Sequence, residues 1–149
     1  MRKLYFATGN KGKYESLSKD LEKYGIILSY KKFSFKKELD SDSLEDIATD
    51  KVLRAYKKIK KPVICLDAGF FIAGLDNYPG TKVNRALKKD GIEGILKRAE
   101  NTGRFCRFRQ CLAYLGPDVS HPMVFTSTTW GYLAEEKKGS MEGKPYLWS

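Results

Sequence analysis

Apolar and polar positions fall into short blocks along the first thirty residues. Residues 4–7 form an almost wholly apolar run before Gly9, as expected of a central strand covered on both faces. After Gly12, apolar side chains recur three and four residues apart as far as Tyr24, which indicates an amphipathic helix, and Gly25 supplies its stop signal. Residues 26–30 predict a second strand. A strand, a glycine-containing turn, a helix and a strand begin an α/β fold.

The middle of the chain predicts two more helices and a third strand. Ser43 has the character of a helix N-cap, with an acid three residues later at Asp46, and apolar positions then line one face for about four turns. Residues 62–66 form a continuous apolar strand that carries Asp67 to its carboxyl end, where open α/β sheets place their ligands. Apolar positions between Ile92 and Ala99 predict a third helix that closes near residues 101–103.

The last third of the chain changes to a β-rich pattern. Residues 104–115 and 123–134 are rich in aromatic and β-branched side chains and are joined through a turn at residues 116–118, which predicts a long antiparallel hairpin. No repeat of fixed period and no low-complexity linker interrupts the chain. We therefore expect one α/β domain over residues 1–149, with a mixed central sheet, flanking helices and a long antiparallel β-hairpin arm.

The charge balance favours a polyanionic partner. The chain has 28 Lys and Arg against 18 Asp and Glu, a formal net charge of +10, which suits a nucleotide, a nucleic acid or an anionic surface. Lysines alternate with aromatic residues over residues 31–37. This pattern fits a strand that faces nucleic acid, but it also fits an exposed sheet edge protected from aggregation by lysines, which we favour.

Targeting and cysteine patterns indicate a soluble cytoplasmic protein with no membrane partner. The N-terminal apolar run is too short for the core of a signal peptide, and charged residues interrupt every hydrophobic stretch before it reaches membrane-spanning length. Three cysteines without a Cys-x-x-Cys pair suggest reduced thiols. With the single histidine His121, the chain lacks the parts of a zinc cluster or a Ser-His-Asp triad, so a bound metal would need oxygen ligands.

The turn at residues 8–13 has the placement of a phosphate-binding loop. Because it follows a buried strand and opens a helix, it directs free backbone N–H groups and the positive end of the helix toward one point. Gly9 and Gly12 allow close approach of a ligand, Thr8 and Asn10 add side-chain hydrogen bonds, and Lys13 adds a charge. An ordinary tight turn fits the same residues, since neither Walker A spacing nor Gly-x-Gly-x-x-Gly is present.

Two carboxylates on different segments are candidates for a shared Mg²⁺. Asp46 opens a helix and Asp67 ends a strand, and Mg²⁺ is commonly held by one or two carboxylates together with substrate phosphates. Asp46 could equally serve as a capping acid, and Asp67 could cap a turn. Lys51 follows Asp46 by five residues, so the two side chains lie on different sides of the helix. Lys51 either reaches over the same end of the sheet or is an ordinary solvated helix lysine.

Four motifs, taken together, make the chain resemble the inosine-triphosphate pyrophosphatase family. They are residues 7–15 (ATGNKGKYE), 44–48 (LEDIA) with Lys51, 67–70 (DAGF) and 78–80 (YPG). Their order and spacing match the family along roughly the whole chain. The resemblance implies Mg²⁺-dependent hydrolysis of purine nucleoside triphosphates such as ITP, dITP and XTP to the monophosphate and pyrophosphate, by a homodimer.

The resemblance also implies roles for individual residues. Asp67 falls on the proton acceptor, and Asp46 falls on the metal-binding acid, so Asp46 and Asp67 are the expected metal ligands. The expected substrate-binding residues are Thr8, Gly9, Asn10, Lys11, Gly12, Lys13, Lys51, Ala68 and Arg85.

The chain departs from the family at two places. Relatives usually carry an acid before the catalytic aspartate and a hydroxyl residue after it, where this sequence has Leu66 and Ala68. Relatives also continue into a further strand, a Ser-His-Arg motif and a closing helix, whereas this sequence ends at an aromatic segment, residues 146–149. We therefore expect a shortened domain that exposes Tyr146, Leu147 and Trp148. Ser120-His121-Pro122 lies in the hairpin turn and lacks the arginine of that motif.

Two other functions compete with the enzyme. A catalytically weak or inactive homologue could bind nucleotide or RNA through the basic surface, which would make binding steeply dependent on salt. A purely structural dimerisation partner has only the long hairpin and the aromatic C-terminus in its favour.

Overall fold

The computed structural model describes residues 2–138 and confirms the mixed α/β fold. Its helices and strands follow in chain order: β1 (Arg2–Thr8), α1 (Lys11–Glu22), β2 (Ile26–Lys32), α2 (Leu44–Ile59), β3 (Val63–Ile72), β4 (Tyr78–Gly80), α3 (Val83–Arg98), β5 (Phe105–Leu115) and β6 (Met123–Tyr132). The aromatic residues Tyr146, Leu147 and Trp148 lie outside the described range. Within residues 2–138, no helix is both long and apolar enough to cross a bilayer.

The order of strands creates a switch point at the centre of the sheet. Strands run in the order β2-β1-β3-β5-β6, with β4 paired to β3. β1 is parallel to both β2 and β3, whereas β5 and β6 are antiparallel to their neighbours. The chain therefore leaves β1 toward one side to form β2 and returns past β1 to form β3 on the other side. Crevices outside the carboxyl ends of two such strands are the usual ligand sites of open α/β sheets.

A gap in strand pairing widens this crevice. β3 pairs with β1 only at Val63 and Ile64, and with β4 only at residues 70–72. On this side of β3, residues 65–69 have no strand partner in the described part of the chain, although they pair with β5 on the other side. Asp67 lies in the middle of the unpaired stretch.

A different helix packs against each face of the sheet. α2 contributes Leu44, Ala48 and Val52 to a buried cluster that includes Cys65 and Cys111 on the strands. On the opposite face, partly buried residues of α1 pack against a second cluster, which contains Phe6, Leu28 and Ile64. Apolar burial on both faces fixes the central strands and hence the switch point between them.

Three predicted elements differ in detail from the structure. The third strand continues past the predicted residues 62–66 and spans Val63–Ile72, so Asp67 lies inside β3 and not at its end. The third helix begins at Val83, well before the apolar positions that indicated it, and is broken at Gly91, where φ is +69°. The lysine-rich segment is strand only as far as Lys32, at the end of the edge strand β2, and residues 33–37 leave the sheet. The predicted hairpin is confirmed as β5 and β6, and nearly all of β6 is exposed.

Candidate active site

The turn from β1 to α1 is stabilised by its own side chains. Thr8 Oγ1 accepts a hydrogen bond from the Asn10 backbone N–H at 3.1 Å, and Asn10 Oδ1, the N-cap of α1, accepts from the Lys13 N–H at 3.1 Å. The N–H groups of Lys11 and Gly12 lie in the first turn, where an α-helix offers no intrahelical acceptor. The predicted phosphate loop is thus a preformed helix N-terminus that directly follows β1.

A cavity of about 90 Å³ lies beside the start of α1, and four of the predicted site residues line it. Lys13 lines it from α1, and Asp67 and Ala68 line it from β3. Arg85, exposed in the first turn of α3, lines it as well. Thr8 through Gly12 do not line this cavity, although the Asn10 cap orients the start of the helix that carries Lys13.

Asp67 is the buried charged group of the site. It is 8% exposed, and its Oδ1 accepts from Lys51 Nζ at 2.8 Å. Lys51 Nζ also contacts the Glu38 carboxylate, so one ammonium bridges two acids. Asp67 Oδ2 is buried without a hydrogen-bond partner in the described part of the chain. An unsatisfied buried carboxylate oxygen is costly, which makes this atom a candidate for binding a cation or a water.

Burial and neighbouring charges shift the pKa values of Asp67, Lys51 and Lys13. Burial raises the pKa of Asp67 above its ordinary value, and Glu38 adds to the rise, whereas Lys51 and Lys13 oppose it. Burial works to lower the pKa of Lys51, but attraction to Asp67 and hydrogen bonds to Asp67 and Glu38 raise that pKa overall. Burial also lowers the pKa of Lys13, against the attraction of Asp67. Lys51 therefore stays protonated at neutral pH while Asp67 acquires the character of a base.

Lys51 belongs to the site rather than to a solvated helix face. Its side chain is 13% exposed. It lies on α2 three residues after Ala48 and seven after Leu44, along the stripe that packs on the sheet. The sequence signal was therefore present: a lysine on the apolar face of an amphipathic helix is expected to reach a partner.

The second carboxylate near Asp67 is Glu38, a residue that sequence reasoning missed. Glu38 lines the cavity and contacts Lys51. Asp46 is exposed, does not line the cavity, and donates its backbone N–H to the Ser43 hydroxyl at 3.2 Å, which confirms Ser43 as the N-cap of α2. The assignment of Asp46 as a metal ligand stays a prediction from the resemblance, whereas the geometry favours Glu38.

Residues 38–41 form a loop that also lines the cavity, and no sequence pattern predicted it. Asp40 forms an ion pair with Lys82 at 2.9 Å, and the Ser41 carbonyl accepts from the Thr81 hydroxyl at 2.7 Å. These contacts tie the segment that carries Glu38 to the start of α3. Glu38 was hard to identify because it lies in an irregular segment whose sequence reads as lysine-rich and exposed.

The departure at Leu66 does not alter the face of β3 that carries Asp67. Successive side chains of a strand point to opposite faces. Leu66 packs with the α1-side cluster of Phe6 and Ile64, whereas Asp67 pairs with Lys51 on the α2 side. Ala68, the second departure, is 7% exposed and lines the cavity without a polar group.

The residues that line the cavity fit a divalent cation whose remaining ligands are waters and substrate phosphates. The unpartnered Asp67 Oδ2 and the Glu38 carboxylate supply oxygen donors at the cavity. Among residues 2–138, no group of three or more His, Cys, Asp or Glu side chains is arranged to hold a metal alone. This sparse donor set suits Mg²⁺, which usually keeps waters and shares substrate phosphates rather than occupying an all-protein cage.

The sequence and the fold are similar to those of known proteins. The sequence model of the Ham1 family matches residues 4–146. A dITP/XTP pyrophosphatase of Methanopyrus kandleri is 37% identical over 97% of this chain and 76% of its own length. A dITP/XTP pyrophosphatase of Hyperthermus butylicus is 34% identical over 93% of this chain and 72% of its own length. The Ham1 protein of Staphylococcus aureus has a TM-score of 0.76 at 27% identity, covering 93% of this chain and 75% of that one.

Proposed function

The chain belongs to the Ham1 family, and on that basis we propose that it hydrolyses purine nucleoside triphosphates such as dITP, XTP and ITP to the monophosphate and pyrophosphate. The observation that carries the proposal is the buried Asp67, paired with Lys51 and left with one unpartnered oxygen at the switch point. The names of the relatives supply the substrate class, and the geometry supplies a site that could act on it.

Substrate binding follows from the charges around the cavity. The triphosphate would lie along the N-terminus of α1, where the backbone N–H groups of Lys11 and Gly12 and the Lys13 ammonium are suited to phosphate oxygens. Arg85 on α3 would contact the triphosphate from across the cavity. Thr8 and Asn10 would support this binding by holding the turn in shape.

Asp67 would act as the base toward the attacking water. Its raised pKa brings proton affinity to a carboxylate that is otherwise weakly basic. Lys51 holds one oxygen of Asp67 in place, and the other oxygen has two lone pairs, so it could accept the water proton while it also contacts the cation. Lys13 and Lys51 would offset negative charge that develops on the departing pyrophosphate.

Asp67 and Glu38 would hold Mg²⁺. When bound, the cation would polarise the phosphoryl group and neutralise charge on the leaving pyrophosphate. Glu38 then has two tasks, because it also contacts the Lys51 ammonium. Its removal would disturb both the cation site and the orientation of Lys51.

The deciding experiment measures pyrophosphate release from dITP, XTP, ITP, ATP and GTP with and without added Mg²⁺. We expect release from the first three substrates with Mg²⁺ and a loss of at least about a hundredfold for Asp67→Asn, the scale of general acid–base catalysis. Full activity of Asp67→Asn would contradict the mechanism. The absence of pyrophosphate release from all five nucleotides would contradict the proposed function.

A paired comparison separates the two candidate metal ligands. Glu38→Gln is expected to raise the Mg²⁺ concentration needed for half-maximal activity, because Glu38 lines the cavity. Asp46→Asn is expected to leave that concentration unchanged, because Asp46 is exposed and outside the cavity. The reverse result would restore the assignment made from the family resemblance.

Assembly into a homodimer is part of the same proposal. The resemblance implies it, and the exposed aromatic side chains of β6 provide apolar surface for a second copy. A cytoplasmic location stays a prediction from the sequence.

A further inference from the structure

A groove beside the active site collects positive charge from several elements. It has a volume of about 620 Å³ and is bounded by β1, the end of β2, the loop that follows, and the C-terminal end of α2. Five exposed lysines line it: Lys31, Lys32, Lys36, Lys58 and Lys61. None of the residues that line the groove is acidic.

The lysines of this groove, hereafter the basic groove, lack carboxylate partners. Within residues 2–138, none of the five forms an ion pair, whereas Lys51, Lys82 and Arg109 all do. Edge protection accounts for lysines on β2, and the helix dipole accounts for Lys58 at the end of α2. Neither explains why both sets converge on one concavity, where like charges repel one another.

Aromatic rings lie among these lysines. Lys58 Nζ lies 5.3 Å from the ring centroid of Phe33, and Lys61 Nζ lies 6.0 Å from that of Tyr5. Both rings are half-buried and line the groove. A positively charged groove with aromatic rings is the combination that holds a strand through its phosphates and its unstacked bases.

From the convergence of unpaired lysines and aromatic rings in one groove, we propose that the basic groove binds single-stranded nucleic acid. A duplex presents no unstacked bases to the rings of Tyr5 and Phe33. An anionic membrane would bind a protruding face more readily than a concavity whose rings are half-buried. Single-stranded nucleic acid therefore fits the groove better than either alternative.

The basic groove adjoins the nucleotide site but uses other residues. The Phe33 backbone N–H donates to the Thr8 carbonyl at 3.2 Å, and the rings of Phe33 and Phe35 lie 4.6 Å apart. Phe35 in turn lies under the Lys51 ammonium, 5.6 Å from its ring centroid. A test of the groove must therefore keep the two sites apart.

The experiment measures fluorescence anisotropy of a labelled oligouridylate of about twelve nucleotides, within the range that single-strand sites cover. The oligonucleotide carries a 5′-hydroxyl, so it offers no triphosphate. We expect saturable binding at low salt whose affinity falls as salt rises, and a loss of at least about tenfold in Lys31→Glu/Lys58→Glu with a shallower salt dependence. Lys88→Glu/Lys89→Glu, at two exposed positions of α3, makes the same charge change away from the groove and should bind as the unmodified protein does.

Each other outcome overturns the proposal. No binding at low salt would do so, as would an equal loss of affinity in the α3 control. Tighter binding to the duplex of the same strand, or to vesicles of anionic lipid, would assign the groove to that other partner. Displacement of the oligouridylate by dITP, with unchanged affinity in Lys31→Glu/Lys58→Glu, would place the strand in the nucleotide site instead.

Discussion

The buried pair of Lys51 and Asp67 makes a strong prediction about a single residue. Replacing Lys51 by Met leaves the Asp67 carboxylate buried without its cation, because both side chains are little exposed. Breaking a buried ion pair by removing one partner costs roughly 3 kcal/mol. We expect a decrease of this size in the free energy of unfolding at neutral pH, measured by urea denaturation in the presence of a chelator.

The pH dependence of this loss identifies its cause. The folded pKa of Asp67 is already raised by burial, and removing Lys51 raises it further, so folding favours the protonated acid. The contribution of Asp67 to the free energy of unfolding is therefore fully present at low pH and is lost as the pH rises through the folded pKa of Asp67. The deficit of Lys51→Met should shrink toward acidic pH, and Lys51→Met/Asp67→Asn should recover most of it. A deficit that is the same at every pH would show that lost packing, not charge, is responsible.

The three cysteines provide a prediction about reactivity. Burial raises the pKa of Cys65 to about 12 and that of Cys111 to about 11, and burial also raises the pKa of Cys106. Because the thiolate is the reactive form, iodoacetamide at about pH 8 should label none of them in the folded protein. All three should react in urea. Rapid labelling of the native protein, followed by mass spectrometry, would contradict the buried positions.

Site residues could be predicted from the sequence where they lie in or next to a regular helix or strand. Asp67 could be identified because it follows a run of apolar residues, and Lys13 because it follows a glycine turn at a helix start. Glu38 could not, because its position depends on tertiary contact with Lys51 and on the ties between its loop and α3. Periodicity carries no information about such a segment.

At the scale of elements, the break in α3 depends on one glycine. Gly91 has φ +69° and ψ 178°, a region that is essentially restricted to glycine. Gly91→Ala should therefore lower the free energy of unfolding by roughly 1–3 kcal/mol, the cost of a strained backbone conformation. Thermal or urea unfolding measures this loss.

Gly131 provides the control for this substitution. It lies on β6, and a Cβ added there would meet nothing within 4 Å and needs no positive φ. Gly131→Ala should leave stability nearly unchanged. Equal losses in the two variants would mean that backbone conformation at Gly91 is not the cause.

The start of α3 could not be read from the sequence for a related reason. Its N-cap, Lys82, makes no side-chain capping hydrogen bond, so the usual capping residue is absent. Contacts of Asp90 instead hold the turn before Gly91: the Tyr78 hydroxyl on β4 donates to Asp90 at 2.8 Å, and Arg98, at the far end of α3, pairs with Asp90 across the break at 3.0 Å. By contrast, α2 has both a capping serine and a clear apolar face, and its prediction was confirmed.

At the scale of the whole molecule, strand order explains why distant residues form one site. The sequence predicted strands and helices, but it did not predict that β1 would lie between β2 and β3. That order brings Lys13 from α1 and Lys51 from α2 to Asp67 from both faces of the sheet. The alternation along β3 also separates Leu66 from Asp67, a distinction that residue spacing alone did not reveal.

The exposed strand β6 predicts self-association. Phe125 is 55% exposed, Trp130 58% and Tyr132 80%, and the Phe105 and Trp130 rings stack with centroids 5.4 Å apart. An edge strand with this much aromatic surface is a template for a second copy. Sedimentation equilibrium over a range of concentrations should therefore show a dimer.

Substitution on β6 tests whether this strand is the interface. Trp130→Ser should raise the dimer dissociation constant by at least about tenfold, since aromatic anchors at the centre of an interface commonly contribute about 2 kcal/mol or more. Tyr24→Ser is the matched control, because Tyr24 is 78% exposed after the end of α1, away from β6 in the sheet order. A protein that stays monomeric throughout, or an equal effect of Tyr24→Ser, would assign no assembly role to β6. If Trp130→Ser yields monomers with unchanged pyrophosphate release, each copy carries a complete site, as expected from a cavity lined by residues of one chain.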